Sequence, residues 1–140
     1  MTNSSKKRWF TRFILLGALY DVALAVTFLF FSPIVSILLN YPISILSAAL
    51  LQIIGAFLVG FGSALLLASR NLDQHLIIPI TNIPARIIAA VVLVYYIFLG
   101  LPFALLVLGI IEGFFGVVYI IYIIAIPEYT VHSVFKKAPT

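Results

Sequence analysis

The sequence predicts an all-α membrane protein, a four-transmembrane-helix bundle with both termini cytoplasmic. Three observations carry that expectation. Of 140 residues, 64% are apolar and 9% charged, far below the roughly 25% charged residues of soluble chains. Four long apolar segments follow one another, separated by prolines or short polar turns. Lys6, Lys7, Arg8, Arg12, Arg70, Lys136 and Lys137 flank those segments, and Arg86 alone interrupts one.

A helix needs about 20 apolar residues to cross a hydrocarbon core about 30 Å thick. The first segment, about 10–31, stops near Ser32-Pro33, where proline removes a backbone donor. Its basic start and apolar run resemble a signal peptide, with Ala23-Leu24-Ala25 as a passable cleavage site. The run continues through Phe31 and carries Asp21 just before that site, so an uncleaved helix is expected. An uncharged loop through Asn40, Tyr41 and Pro42 leads to the second segment, about 42–69. At roughly 40 Å that helix exceeds the core and must tilt or protrude.

Arg70, Asn71, Asp73, Gln74 and His75 form a polar turn. The third segment, about 77–99, contains Pro79, Asn82 and Pro84, and leaves two starts open: Ile77, or Pro84 at the first helical position, which proline tolerates. The second version spans only about 24 Å. The fourth segment, about 102–126, follows so tight a link at Gly100-Leu101 that the last two helices must be antiparallel neighbours. The basic residues fall on the N-terminal arm, the turn at 70–75 and the C-terminal tail, which puts all three on the cytoplasmic side. Without a linker or low-complexity stretch, residues 1–140 read as a single domain.

Several function classes are excluded at this stage. The net charge of +4 would admit nucleic acid, but basic residues placed at segment ends are a membrane signal instead. The absence of cysteine rules out disulfides, thiol redox chemistry and thiolate-held metals or clusters in this chain. No phosphate loop, nucleophile elbow or zinc signature is present, so no catalytic residue and no cofactor is assigned. His75 and His132 sit in polar ends, apart from each other and from the acids of the apolar segments, so no metal site is expected. Tyr95 and Tyr96 fit an interfacial belt, and Tyr119 and Tyr122 fit either a belt or an aromatic pocket.

One polar side chain interrupts each segment at a similar depth. Asp21 lies nine residues past Arg12, roughly 14 Å into the helix. Gln52 and Glu112 each lie ten residues past a proline, Pro42 and Pro102, roughly 15 Å deep; the matching offset is consistent with a repeated helix pair. Arg86 reaches the midplane if its helix starts at Ile77, and otherwise lies near the interface. Small residues share a face with each of these four. They are Gly17 and Ala25 with Asp21; Ala48, Ala56, Gly60 and Ala64 with Gln52; Ala89 with Arg86; and Gly109, Gly113 and Gly116 with Glu112.

Small residues mark helix contacts in membranes, so Asp21, Gln52, Arg86 and Glu112 are expected to meet inside the bundle. Arginine keeps its charge, and the least costly pairing ionises one carboxyl and leaves the other protonated. Such a cluster serves as structural glue, where interhelical polar contacts average about 0.6 kcal/mol; as a proton or ligand site, the default for ionisable groups in a membrane; or as a contact to a partner subunit.

The Tyr20-Asp21 pair, the run from Gly55-Ala56-Phe57 to Gly60-Phe61-Gly62, Arg70, Arg86 and Glu112 together resemble the DoxX-like small four-helix membrane proteins, over nearly the whole chain. The resemblance implies a compact four-helix bundle and, for some relatives, association with quinol or sulfur-compound oxidation complexes. Relatives proposed to do thiol redox chemistry use cysteines, which are missing here. The expected function is therefore a non-catalytic accessory or assembly subunit of a larger membrane complex, of the respiratory or oxidase kind. The alternatives are a proton-coupled small-molecule carrier, working as a homo-oligomer through Asp21 or Glu112, and a membrane enzyme acting on a lipid. Expected partners are the bilayer of the cell membrane, other subunits or further copies of the chain, and no nucleic acid.

Overall fold

A computed structural model describes residues 3–39, 42, 44–100 and 102–129. His132, Lys136, Lys137, Asn40, Tyr41 and Leu101 lie outside the described residues. Among the described residues six α-helices follow in order: α1 (Asn3–Phe30), α2 (Ser32–Leu39), α3 (Ile45–Arg70), α4 (Leu72–His75), α5 (Ile77–Phe98) and α6 (Ala104–Ala125), then a 3-10 turn at Pro127–Tyr129. No strand occurs among the described residues. Four helices, α1, α3, α5 and α6, are long and apolar enough to span a membrane. The chain is a multi-pass membrane protein built as a four-helix bundle.

The helix ends follow local chemistry. α1 begins at Asn3, not near residue 10, because nothing between Asn3 and Phe10 breaks a helix; the basic residues simply extend it into the interface. Past Phe31 the chain does not enter a loop. It restarts as α2, with Pro33 in the first turn, where a missing N–H leaves no bond unmade. Ser44 caps α3, its hydroxyl accepting from the Ser47 N–H at 3.1 Å, a cap that starts the helix three residues after Pro42. α5 begins at Ile77 and runs through Pro84, which settles the start left open above and makes Arg86 its tenth residue. It ends in a turn where the Gly100 N–H reaches the Ile97 carbonyl at 3.0 Å. Gly100 sits there at φ +95°, a conformation that side chains with a Cβ resist.

Packing divides the bundle into two close pairs, α1 with α3 and α5 with α6, joined mainly through α1 and α6. In the first pair, Gly55 and Gly62 bring α3 against the carbonyls of Ala25 and Ala18. In the second, Gly109 lies against Leu93, Gly113 against Ala90 and Gly116 against Ile87. Aromatic rings fill the seam between α1 and α6: Phe10 stacks on Tyr122 at 5.3 Å and meets Tyr119 edge-on at 5.8 Å. α3 and α5 touch somewhat less than α1 and α6 do, and both contacts are far smaller than those within the close pairs.

The small-residue stripe assigned to α3 from the sequence requires correction. Ala56 and Gly60 are exposed on the outer surface, Ala48 and Ala64 are half-buried, and a Cβ added at Gly60 would meet nothing within 4 Å among the described residues. The opposite face of α3, carrying Gly55, Gly62, Leu65 and Ala68, does the packing. Close helix approach depends on which small residues face a neighbour, and α3 carries small residues on both sides.

Candidate functional site

Asp21 stands on α1, Arg86 on α5 and Glu112 on α6, and the structure brings the three together. The Arg86 guanidinium is the hub. Its Nη2 donates to both Asp21 oxygens, at 3.0 and 2.8 Å, its Nη1 donates to Glu112 Oε2 at 2.7 Å, and its Nε donates to Asn82 Oδ1 at 2.6 Å. The planar fork of arginine suits such divergent acceptors, where a lysine would offer one point charge. The rings of Phe115 and Tyr119 lie 5.0 and 5.8 Å from the guanidinium carbon and close the site on the α6 side.

Burial decides the character of this cluster. Asp21, Asn82, Arg86 and Glu112 are 2, 5, 3 and 9% exposed. At that depth a charge without a partner is costly, and removing one member of a buried pair typically destabilises by about 3–5 kcal/mol. The helices reach this point because their backbones come close. Gly17 leaves room for the Tyr119 hydroxyl, into which any Cβ would project, and Arg86 Nη2 lies 3.4 Å from the same position. Ala25, on the same face of α1, is fully buried.

Asn82 was not assigned to the cluster from the sequence, where it counted only as an interruption of α5. Its signal was its position four residues before Arg86, which puts both side chains on one face of the helix. Tyr119 was expected in a belt or a pocket wall. It is fully buried, and among the described residues its hydroxyl, like that of Tyr20, has no partner within hydrogen-bond geometry. Tyr95 and Tyr96 are exposed at the end of α5.

Gln52 does not join the cluster. It is exposed on the outer face of α3, opposite the face that packs on α1. A neutral amide does not carry the cost that forces Asp21, Arg86 and Glu112 inward. Gln52 still lies about 8 Å from the middle of α3, well inside a hydrocarbon core about 30 Å thick.

A cavity of about 140 Å³ adjoins the cluster, lined by Asp21, Asn82, Arg86 and Glu112 on one side and by Leu58, Phe61, Ala85 and Ala89 on the other. Ala89, expected as a packing residue, is half-buried on this wall. Phe61 and Ala85 are exposed, so the cavity opens sideways between α3 and α5.

A second cluster of one base and two acids lies at the end of the bundle where α1 begins. Lys7 Nζ pairs with Asp73 Oδ1 at 3.1 Å and with Glu128 Oε2. The Tyr129 hydroxyl donates to the same Asp73 oxygen at 2.8 Å, and Lys6 Nζ donates to the Ala125 carbonyl at 2.9 Å. Burial, and the hydrogen bond to Asp73 after it, push the Tyr129 hydroxyl well above its ordinary value of 10.0. The four acids of the chain, Asp21, Asp73, Glu112 and Glu128, thus divide equally between a buried cluster and an exposed one. With Asp73 and Glu128 more than half exposed, the outer pairs contribute at most about 1 kcal/mol each. Among the described residues no group of three or more His, Asp or Glu side chains is arranged to hold a metal ion.

The fold and site define a class: a four-span membrane bundle pinned at its centre by an arginine that joins three helices. Compared with protein-family models, curated proteins and solved structures, the chain matches none.

Proposed function

We propose that this chain is a non-catalytic accessory or assembly subunit of a larger complex in the cell membrane, of the DoxX-like kind its sequence resembles. The observation that carries the reading is the outer face of α3. Gln52, Ala56 and Gly60, spaced by four, point away from the bundle. Small residues at that spacing let a second helix approach closely, and an amide within hydrocarbon gains from a partner across the contact. The occupant is a transmembrane helix of another subunit, packing at Gly60 and hydrogen-bonding Gln52. The placement of Lys and Arg supports cytoplasmic ends for both termini.

The inner cluster supports a structural role in the same picture. Arg86 is engaged by three side chains besides its aromatic neighbours, so it braces α1, α5 and α6 while α3 offers its back to the partner.

The test is gentle extraction of the tagged protein from its native membrane, with the mass and composition of the assembly measured. A defined complex with a larger subunit is expected, lost in Gly60→Leu while the bundle itself stays folded. A homo-oligomer alone, or a complex indifferent to Gly60→Leu, would overturn the reading.

A further inference from the structure

The first turns of α1 divide their basic residues between two faces. Lys6 Nζ donates to the Ala125 carbonyl at 2.9 Å, and Lys7 pairs with Asp73 and Glu128, so both are tied to the bundle. Arg8 and Arg12 are exposed. The four acids of the chain are committed elsewhere, two to Lys7 and two to Arg86. Among the described residues no carboxylate side chain therefore answers these two guanidiniums.

Position turns the pair of charges into a site. Residues four apart are neighbours on one helix face, and Arg8 and Arg12 are separated by about 6 Å along the axis. Counted back from Phe30, the last residue of α1, Arg12 lies about 27 Å along the helix. That is close to the edge of a hydrocarbon core about 30 Å thick, and Arg8 stands one turn further out, among headgroups. Leu16, Leu19, Ala23 and Val26 continue the same face into the core, and all four are exposed. Trp9, 44% exposed, lies beside the pair, with the Arg12 guanidinium 5.0 Å over its ring. An indole at this depth is an interfacial anchor. Stacking covers one flat side of the guanidinium and leaves its in-plane N–H donors free for an anion.

We propose that this face of α1 binds an anionic phospholipid from the leaflet surrounding the start of the helix. The phosphate sits between Arg8 and Arg12, and one acyl chain lies along Leu16, Leu19, Ala23 and Val26. Two guanidinium forks match the oxygens of a phosphate, which accept paired N–H bonds. The rest of the headgroup sets the selectivity. A zwitterionic lipid offers the same phosphate but brings an ammonium beside two guanidiniums, on a face with no acid to receive it. Phosphatidylglycerol brings the phosphate with a neutral glycerol. The face shares no residue with the surface of α3 proposed for a partner.

Trp9 is the single tryptophan of the chain, so its fluorescence reports on this site alone. The experiment reconstitutes the full chain in phosphatidylcholine bilayers carrying a minor fraction of brominated lipid, either phosphatidylglycerol or phosphatidylcholine, and compares the quenching of Trp9. The expected result is a preference for phosphatidylglycerol of at least about tenfold, or 1.4 kcal/mol, the scale of two basic side chains at a lipid surface. In Arg8→Gln/Arg12→Gln the preference should fall to within about twofold of none, whereas Lys6→Gln, which removes a charge from the same end but from the inner face, should keep it. Equal quenching by the two lipids in the unaltered chain would leave the face to a partner's carboxylates and overturn the proposal. A preference that survives in Arg8→Gln/Arg12→Gln, or that Lys6→Gln abolishes, would trace it to diffuse charge and overturn it as well. Loss of the preference in inorganic phosphate, but not in chloride of equal ionic strength, would assign the arginines to a soluble anion, with the same consequence.

Discussion

The two faces of α3 carry the same kind of residue and behave oppositely. On the inner face, a Cβ at Gly62 would stand 2.9 Å from the Val22 side chain and 3.1 Å from the Ala18 carbonyl, and one at Gly55 would stand 2.9 Å from Leu29 and 3.1 Å from the Ala25 carbonyl. On the outer face, a Cβ at Gly60 would meet nothing within 4 Å. The inner glycines are consumed by the contact with α1. The outer face carries Ala56 and Gly60 exposed at a spacing of four, and that difference is why we propose it as the surface for a partner.

The strongest perturbation lies behind the inner face, where Gly62 also approaches Asp21. Arg86→Met leaves two buried carboxyls without their cation and should destabilise the bundle by about 3–5 kcal/mol, seen as a large fall in the thermal midpoint in detergent. A midpoint close to that of the unaltered protein would mean that the cluster does not brace the helices.

Gly62→Leu comes next. It forces α3 away from α1 against a backbone carbonyl, which cannot move aside as a side-chain tip can, and should cost about 3 kcal/mol. Gly60→Leu tests the other half of the comparison with nearly the same chemical change. The isolated bundle should stay within about 0.5 kcal/mol of its original stability, while association with the partner subunit is lost. Equal destabilisation by the two substitutions would erase the distinction between the faces. Gln52→Leu is milder still: removing one interhelical polar contact worth about 0.6 kcal/mol should weaken the complex roughly threefold, measured as exchange of labelled partner subunit.

The smallest effect lies outside the bundle. The Tyr129 hydroxyl titrates higher in the folded chain than its ordinary 10.0, so the folded state holds this proton more tightly. That contribution is fully present below about pH 10 and falls as the pH rises through the folded value. Tyr129→Phe should flatten this part of the stability profile, measured by denaturation between neutral and strongly alkaline pH. An unchanged slope would show that the hydrogen bond to Asp73 does not contribute.

The sequence made the four spans legible because length and apolar content are all that crossing a bilayer requires. Asp21, Arg86 and Glu112 were legible as neighbours for a related reason: an ionisable group at membrane depth has few affordable places other than beside an opposite charge. Gln52 offered no such compulsion. Its place in a stripe of small residues is the same pattern whether the facing helix belongs to this chain or another, and Gly55 and Gly62, seven residues apart, form a competing stripe that spacing alone does not rank. Asn82 was hidden among prolines that suggested a break, although α5 carries Pro84 without ending. The helical start at Asn3 is not legible because charged residues fit the end of a span and its extension into the interface equally well.

Native mass measurement of the complex extracted with the unaltered chain, with Gly60→Leu and with Gly62→Leu tests the assignment of the outer face most directly. The expected result is a defined hetero-complex for the unaltered chain, a folded bundle without its partner for Gly60→Leu, and a bundle destabilised by about 3 kcal/mol for Gly62→Leu. A folded Gly60→Leu chain that keeps its partner would contradict the role given to the outer face of α3.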